Sequence, residues 1–228
     1  MKELHTKDLT HQYNIRVKSS IIPNYAYAPL LMMFLVNILV YFGTRLFTEK
    51  LVHHDISLWL DYKLPFLPVF VIPYILSYIQ WIIGYIQIAR VGQRYSLKVF
   101  TGEIISKLMV CLFFIFFPTT MRRVTVEGMD IFSRLVSLIY RLDAPTNLFP
   151  SIHCLESYIC MRAALEIKSF GKGYKLMMVI MSMLVFLSTL FIKQHVILDF
   201  FGAVLVAEAG RAVSDILIHH FYKNSYNQ

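Results

Sequence analysis

Long apolar runs separated by short mixed segments dominate the chain. Residues 28–47 (APLLMMFLVNILVYFGTRLF) form the first run, after the loop signal Pro23-Asn24. Crossing the hydrocarbon core of a bilayer takes about 20 apolar residues in a helix, so this run predicts a first span. Residues 48–65 carry His53, His54, Asp55, Trp59 and Asp61, which is too mixed for lipid. They are expected to form an interfacial linker with Trp59 at headgroup depth. Residues 66–89 predict a second span, with Pro68 and Pro73 near its start, where neighbouring groups can satisfy the released carbonyls. Residues 104–118 are a shorter run that reaches spanning length if 101–103 form its entry.

The longest loop follows, over residues 119–150. It contains Arg122-Arg123, the patch 131–142 and the turn-rich DAPTNLFP. Arg134 and Arg141 share one polar face if the patch is helical, which predicts an amphipathic helix on the membrane surface rather than another span. Residues 151–167 (SIHCLESYICMRAALEI) are the most polar candidate span, expected to cross with polar groups turned toward other helices. Residues 175–192 and 196–218 predict the fifth and sixth spans. The expected fold is therefore all-α: one polytopic six-helix transmembrane bundle over residues 1–228, with an amphipathic loop helix and no internal repeat.

Composition narrows the class. Only 16% of the 228 residues are charged and 57% are hydrophobic, with a mean hydropathy of +0.58. A soluble domain carries about 25% charged residues, so the chain has too little polar surface for an ordinary cytoplasmic enzyme and too much apolar content for a disordered one. The net charge of +8 comes from Lys and Arg lying between the apolar runs, which points to membrane orientation and not to nucleic acid. With the N-terminus in the cytoplasm, 14 of the 22 basic residues fall inside and 8 outside. That division predicts a multi-pass plasma or cytoplasmic membrane protein with both termini cytoplasmic and the 119–150 loop outward. The polar residues 1–20 lack the short basic and apolar regions of a cleaved signal and are expected to be retained cytoplasmic structure. Cys111, Cys154 and Cys160 form neither a disulfide framework nor a metal-ligand spacing.

Candidate chemistry sits at the expected outer ends of the spans. His195 and Asp199 are four apart; in a helix beginning by Lys193 they share a face, and the carboxylate can hold one ring nitrogen while the other acts as nucleophile or base. Asn147, Pro150, Ser151 and His153 open the fourth span at the same depth, and two histidines so placed suit nucleophilic and general-acid roles in phosphoryl transfer. Arg122 and Arg123 match phosphate geometry, and Ser151 or the first free helix amides can hold an anionic oxygen. His53-His54-Asp55 has the composition of a metal trio, but adjacent side chains diverge. No metal and no cofactor are expected.

These residues make the chain similar to the type 2 phosphatidic acid phosphatase superfamily. Its Pro-Ser-x-His motif is matched by Pro150, Ser151 and His153, with Ile152 in place of glycine. Its serine-arginine motif ending in His and Asp is matched by Ser188, His195 and Asp199, with Thr189 in place of arginine. Arg122 and Arg123 fit the first, lysine-arginine-proline motif only in their arginines, because Ile115 and Phe116 stand where it has lysine and no proline follows. The likeness is sharpest over residues 122–199 and resembles the variant branch that includes membrane lipid phosphatases and sphingolipid phosphotransferases. It implies a six-helix core and attack on phosphorus by His195, oriented by Asp199. It further implies proton transfer by His153 and phosphate binding by Arg122, Arg123, Ser151, Asn147 and Ser188. The implied partners are membrane lipids, among them a lipid phosphate or diphosphate substrate. Hydrolysis is the expected reaction and transfer to an alcohol acceptor the alternative; a transporter, a channel or a catalytically silent membrane protein is the remaining class. Gly84, Gly202 and Ala207 are small enough for helix contacts but do not decide the oligomeric state.

Overall fold

The computed structural model describes residues 21–225, so the expectation for residues 1–20 lies outside the described residues. Helix α1 spans Asn24–Thr48, with one π-helical turn at Leu39–Gly43. A short helix α2 (Trp59–Lys63) and a 3₁₀ turn (Pro68–Phe70) lead into α3 (Val71–Val91). Then follow α4 (Gln93–Phe116), α5 (Ile131–Leu142), α6 (Ile152–Glu166), α7 (Lys172–Phe191) and α8 (Ile197–Ser225). The strands β1 (His54–Asp55) and β2 (Thr119–Thr120) form a two-residue parallel pair that ties the α1–α2 linker to the end of α4.

The architecture is all-α, and its long apolar helices are consistent with a multi-span membrane bundle. Among the described residues four stretches are long and apolar enough to cross: Asn24–Thr48, Pro68–Val91, Gln93–Phe116 and Lys172–Phe191. Neither α6, with 15 residues, nor α8, which carries Asp199, Glu208, Arg211 and Asp215, belongs to that group. Burial is inverted relative to a soluble protein. Phe34, Leu39, Ile82, Leu205 and Ile216 are exposed, while Gln80, Ser106, Lys107, Glu156 and Ser182 are buried. In a bilayer both halves of that pattern are favourable, since apolar side chains meet lipid and polar ones meet each other.

Helix α4 begins at Gln93, well before the apolar run that marks it in the sequence. Gly92 alone separates it from α3; its φ of 151° is a conformation other residues rarely adopt. The polar start of α4 is helical because it packs on α8. Lys98 pairs with Asp215 at 2.8 Å, and Ser214 donates its hydroxyl to the Lys98 carbonyl. The two helices touch at Gly210, where a Cβ would lie 2.1 Å from Ser106 Oγ. Lys107, one of the 14 basic residues assigned inside, is buried in the middle of α4, and Lys193, one of the 8 assigned outside, is 8% exposed. Neither is a loop charge, and setting one aside on each side leaves the direction of the bias unchanged.

Helix α5 separates apolar from charged residues. Asp130 caps it by accepting from the Phe132 and Ser133 amides at 3.0 and 3.1 Å. Its apolar side, with Phe132, Leu135, Val136 and Ile139, packs on Val71, Tyr74 and Ile192, while Arg134 and Arg141 are exposed.

Candidate active site

The turn between α7 and α8 presents His195. The amides of Gln194 and His195 both donate to the Thr189 carbonyl, at 2.9 and 3.0 Å, and Lys193 adopts a left-handed φ of 53°. Helix α8 therefore starts at Ile197, and His195 stands in the turn before it, not on the helical face the spacing suggested. The pair forms all the same: His195 Nδ1 lies 2.9 Å from Asp199 Oδ2. Asp199, fully buried, also accepts from the Val196 amide at 3.0 Å. It thus fills the third position of a capped helix start, with its carboxylate turned back toward the turn.

A distant segment clamps this turn on both sides. Lys193 Nζ donates to the carbonyls of Asp61 and Leu64, each at 2.8 Å. Asp61 accepts the first free amide of α8, Ile197 N, at 2.8 Å, and with its other oxygen the Leu58 amide. The mixed linker read as interfacial thus also fixes the position of His195.

His153 comes from the first turn of α6. Ser151 caps that helix, its hydroxyl accepting the Cys154 amide at 3.3 Å, and the Ser151 amide donates to the Asp199 carbonyl at 3.2 Å, joining the starts of α6 and α8. The His153 ring stacks on Tyr74 with centroids 4.3 Å apart, touches Trp81 at 5.2 Å, and faces His195 at 6.2 Å. The chain entering α6 is held by Thr119, whose hydroxyl accepts the Leu148 and Phe149 amides.

The two arginines separate. Arg122 is exposed. Arg123 is half-buried, donates Nη2 to Gln194 Oε1 at 2.5 Å and Nη1 to the Asp143 carbonyl, and lies 4.5 Å from the Tyr140 ring centroid. Burial lowers its pKa from the ordinary arginine value, with the Asp143 carboxylate the main opposing influence. Burial likewise raises the Tyr140 phenol to about 12, against the pull of Arg123. Two other expected phosphate ligands are occupied elsewhere. Asn147 donates to the hydroxyls of Thr44 and Thr48 at 3.3 and 2.8 Å, anchoring its loop to α1. Ser188, fully buried, donates to the Val185 carbonyl of its own helix.

His153, His195, Asp199, Ser151 and Arg123 therefore converge, while Arg122, Asn147 and Ser188 are directed elsewhere. Gln194, Asp61, Lys193 and Tyr74 were not singled out from the sequence as site residues. Gln194 and Lys193 could have been found by their adjacency to His195; Asp61 had no local signal. His153 Nε2, Gln194 Nε2 and Arg123 Nε are buried without a protein partner. Each leaves hydrogen-bonding capacity open to water or a ligand at this site, as similar atoms do elsewhere in the bundle. The His53-His54-Asp55 segment is used otherwise, with His54 stacked on Phe117 and Asp55 accepting the Ser57 amide. Among the described residues no group of three or more His, Cys, Asp or Glu side chains is placed to hold a metal ion. No family model, no curated protein and no solved structure matches the chain.

Proposed function

We propose that the chain is a six-span membrane enzyme of the type 2 phosphatidic acid phosphatase kind, hydrolysing a lipid phosphate or diphosphate through a phosphohistidine at the outer face. The observation that carries this reading is the His195–Asp199 pair at 2.9 Å with a second histidine ring 6.2 Å away. Asp199 holds Nδ1, which leaves His195 Nε2 as the nucleophile. Nε2 attacks phosphorus, the bond from phosphorus to the leaving oxygen breaks, and His153 gives that oxygen its proton. His153 then takes a proton from water, whose oxygen displaces the phosphoryl group from Nε2 as inorganic phosphate. Arg123 and the free amides at the start of α6 balance charge on the equatorial oxygens. The nucleophile, the acid and the countercharge all come from side chains, so the chemistry calls on no metal.

The short and polar α6 fits this reading. Fifteen residues rise about 22 Å, less than the roughly 30 Å of hydrocarbon, so a span made from it begins below the membrane boundary. That depth suits a headgroup drawn in from the surface while its tail remains in lipid. Transfer to an alcohol in place of water uses the same phosphoenzyme and is the second reading. The observation favouring it is the weakly basic cradle, with Thr189 buried and donating to the Phe186 carbonyl where an arginine would offer charge.

Rapid-quench trapping with labelled phosphatidate and polyprenyl diphosphate, with mapping of the phosphorylated residue, tests the proposal. Label on His195 and its loss in His195→Ala are expected. Label on His153, or a normal burst in His195→Ala, would falsify the assignment. Release of inorganic phosphate against transfer to added alcohols separates the two acceptors.

A further inference from the structure

A second polar constellation lies deeper in the bundle, beginning one turn beyond His153 on α6. Lys107 of α4 reaches Glu103, one turn earlier on the same helix, at 2.5 Å and Glu156 of α6 at 2.6 Å. All three side chains are 4% exposed or less. Tyr85 of α3 donates its hydroxyl to Glu156, and Cys160 lies one turn further along α6. Two carboxylates around one ammonium leave a net negative charge when all are ionised. In a bundle interior facing lipid, an uncompensated charge is disfavoured strongly enough that the group binds a proton instead.

The geometry also says which carboxyl carries it. Glu156 is met by the Lys107 ammonium and the Tyr85 hydroxyl, donors that both stabilise a carboxylate. Glu103 meets Lys107 as an ion pair through Oε1, and neither of its carboxyl oxygens has a hydrogen-bond partner. Glu103 also lines a cavity of about 40 Å³ between α4, α6 and α8, where one water needs about 10–15 Å³ by the same kind of measure. The other charges around this cavity are already matched. Arg211 pairs with Glu166 at 3.0 Å, Arg162 with Glu208 at 3.5 Å and Lys98 with Asp215 at 2.8 Å, and Tyr158 donates to Glu208. Arg211 stands twelve residues beyond Asp199 on α8, about 18 Å along the axis, so the cavity belongs to the opposite end of the bundle.

We propose that Glu103 is a proton-binding site in the membrane interior, carrying the proton that neutralises the Glu103–Lys107–Glu156 triad and exchanging it with water through the cavity remote from His153 and His195. The proton adds to Glu103 Oε2 from water in the cavity and leaves by the same route; no other bond changes. Glu103 is thereby an exchangeable charge site, the kind of group through which membrane proteins couple proton uptake to other events.

Infrared spectroscopy of the full chain in lipid nanodiscs tests this without any substrate, so its outcome is independent of the phosphohistidine chemistry. At neutral pH the chain is expected to show a carboxylic-acid carbonyl band that moves in deuterium oxide. Glu103→Gln, which copies the neutral acid in shape, should remove one carboxylic acid per chain from that band. Lys107→Met should enlarge the band, because Glu156 then loses its countercharge and is protonated as well. Labelling the glutamate side-chain carboxyls with ¹³C in the unsubstituted chain places the band on glutamate even if a variant does not fold. No protonated glutamate in the labelled chain, a band unchanged in Glu103→Gln, or one lost only in Glu156→Gln would overturn the proposal. A band that does not move in deuterium oxide would overturn the access route.

Discussion

Arg123 engages Gln194, the Asp143 carbonyl and the Tyr140 ring together, whereas Arg122 beside it faces outward. An arginine held on Gln194, one residue from the proposed nucleophile His195, would be pre-organised for a phosphoryl oxygen, and an exposed neighbour would not. Arg123→Ala is therefore expected to lower kcat/KM on phosphatidate by about 3–4 kcal/mol of transition-state stabilisation, by analogy with loss of an oxyanion donor. Arg122→Ala should stay within a few-fold of the parent. Equal losses in the two variants would remove Arg123 from its place beside phosphate. His153 separates two steps in the same way. In His153→Ala, a substrate with a good leaving group such as p-nitrophenyl phosphate should recover phosphoenzyme formation in a stopped assay, while turnover remains slow for want of a base for water. Unaided turnover in that variant would assign the proton transfer to another group.

At the scale of elements, the position of His195 depends on a helix of five residues far away in sequence. Lys193→Met leaves the Asp61 and Leu64 carbonyls without their donor, and Asp61→Ala leaves the Ile197 amide unpartnered. Each should cost about 1–3 kcal/mol of stability in thermal unfolding. Each should also slow the His195 phosphoenzyme step more than it weakens substrate binding; a change in KM alone would reduce the segment to a passive cover. Helix α5 makes a pH-dependent prediction. Asp130's pKa lies below the ordinary carboxylate value, chiefly through the Ser133 hydroxyl and then the Ser133 amide. A depressed carboxylate contributes stability above its ordinary pKa and loses it as pH falls through the lowered folded value. The protection of the Phe132 and Ser133 amides, the slowing of their exchange relative to an unstructured amide at the same pH, should accordingly fall in acid below the ordinary aspartate range, and Asp130→Asn, which keeps an acceptor oxygen, should flatten that dependence. The apolar runs already marked where the four long apolar helices lie, because length and apolar content are what a span requires. The polar first turns of α4 were hidden, since they are helical through contact with α8, a partner more than a hundred residues away. The His195–Asp199 spacing was legible, but the turn that makes the pair was not: it is built by Thr189 and by Asp61, whose amide partner is 136 residues distant.

For the whole molecule, the histidine site and the Glu103 cavity lie toward opposite ends of the helices, so the direction in which the chain sits in the membrane decides which compartment each one meets. The basic residues favour cytoplasmic ends even after the buried Lys107 and Lys193 are set aside. Tyr95, at the end expected to face inward, is buried and would stay unlabelled on either side. Gln93 and Lys172 are exposed at that end, and Thr125 and Glu127 are exposed in the loop before α5. Cysteines placed singly at Thr125 or Glu127 should react with an impermeant maleimide in intact cells, whereas those at Gln93 or Lys172 should react only after permeabilisation. Cys154 and Cys160 are buried, leaving Cys111 as the background thiol to replace among the described residues. The reverse labelling would place His195 and His153 on the cytoplasmic side. The proposed lipid substrate would then have to enter from the inner leaflet, and the proton proposed at Glu103 would exchange with the outside.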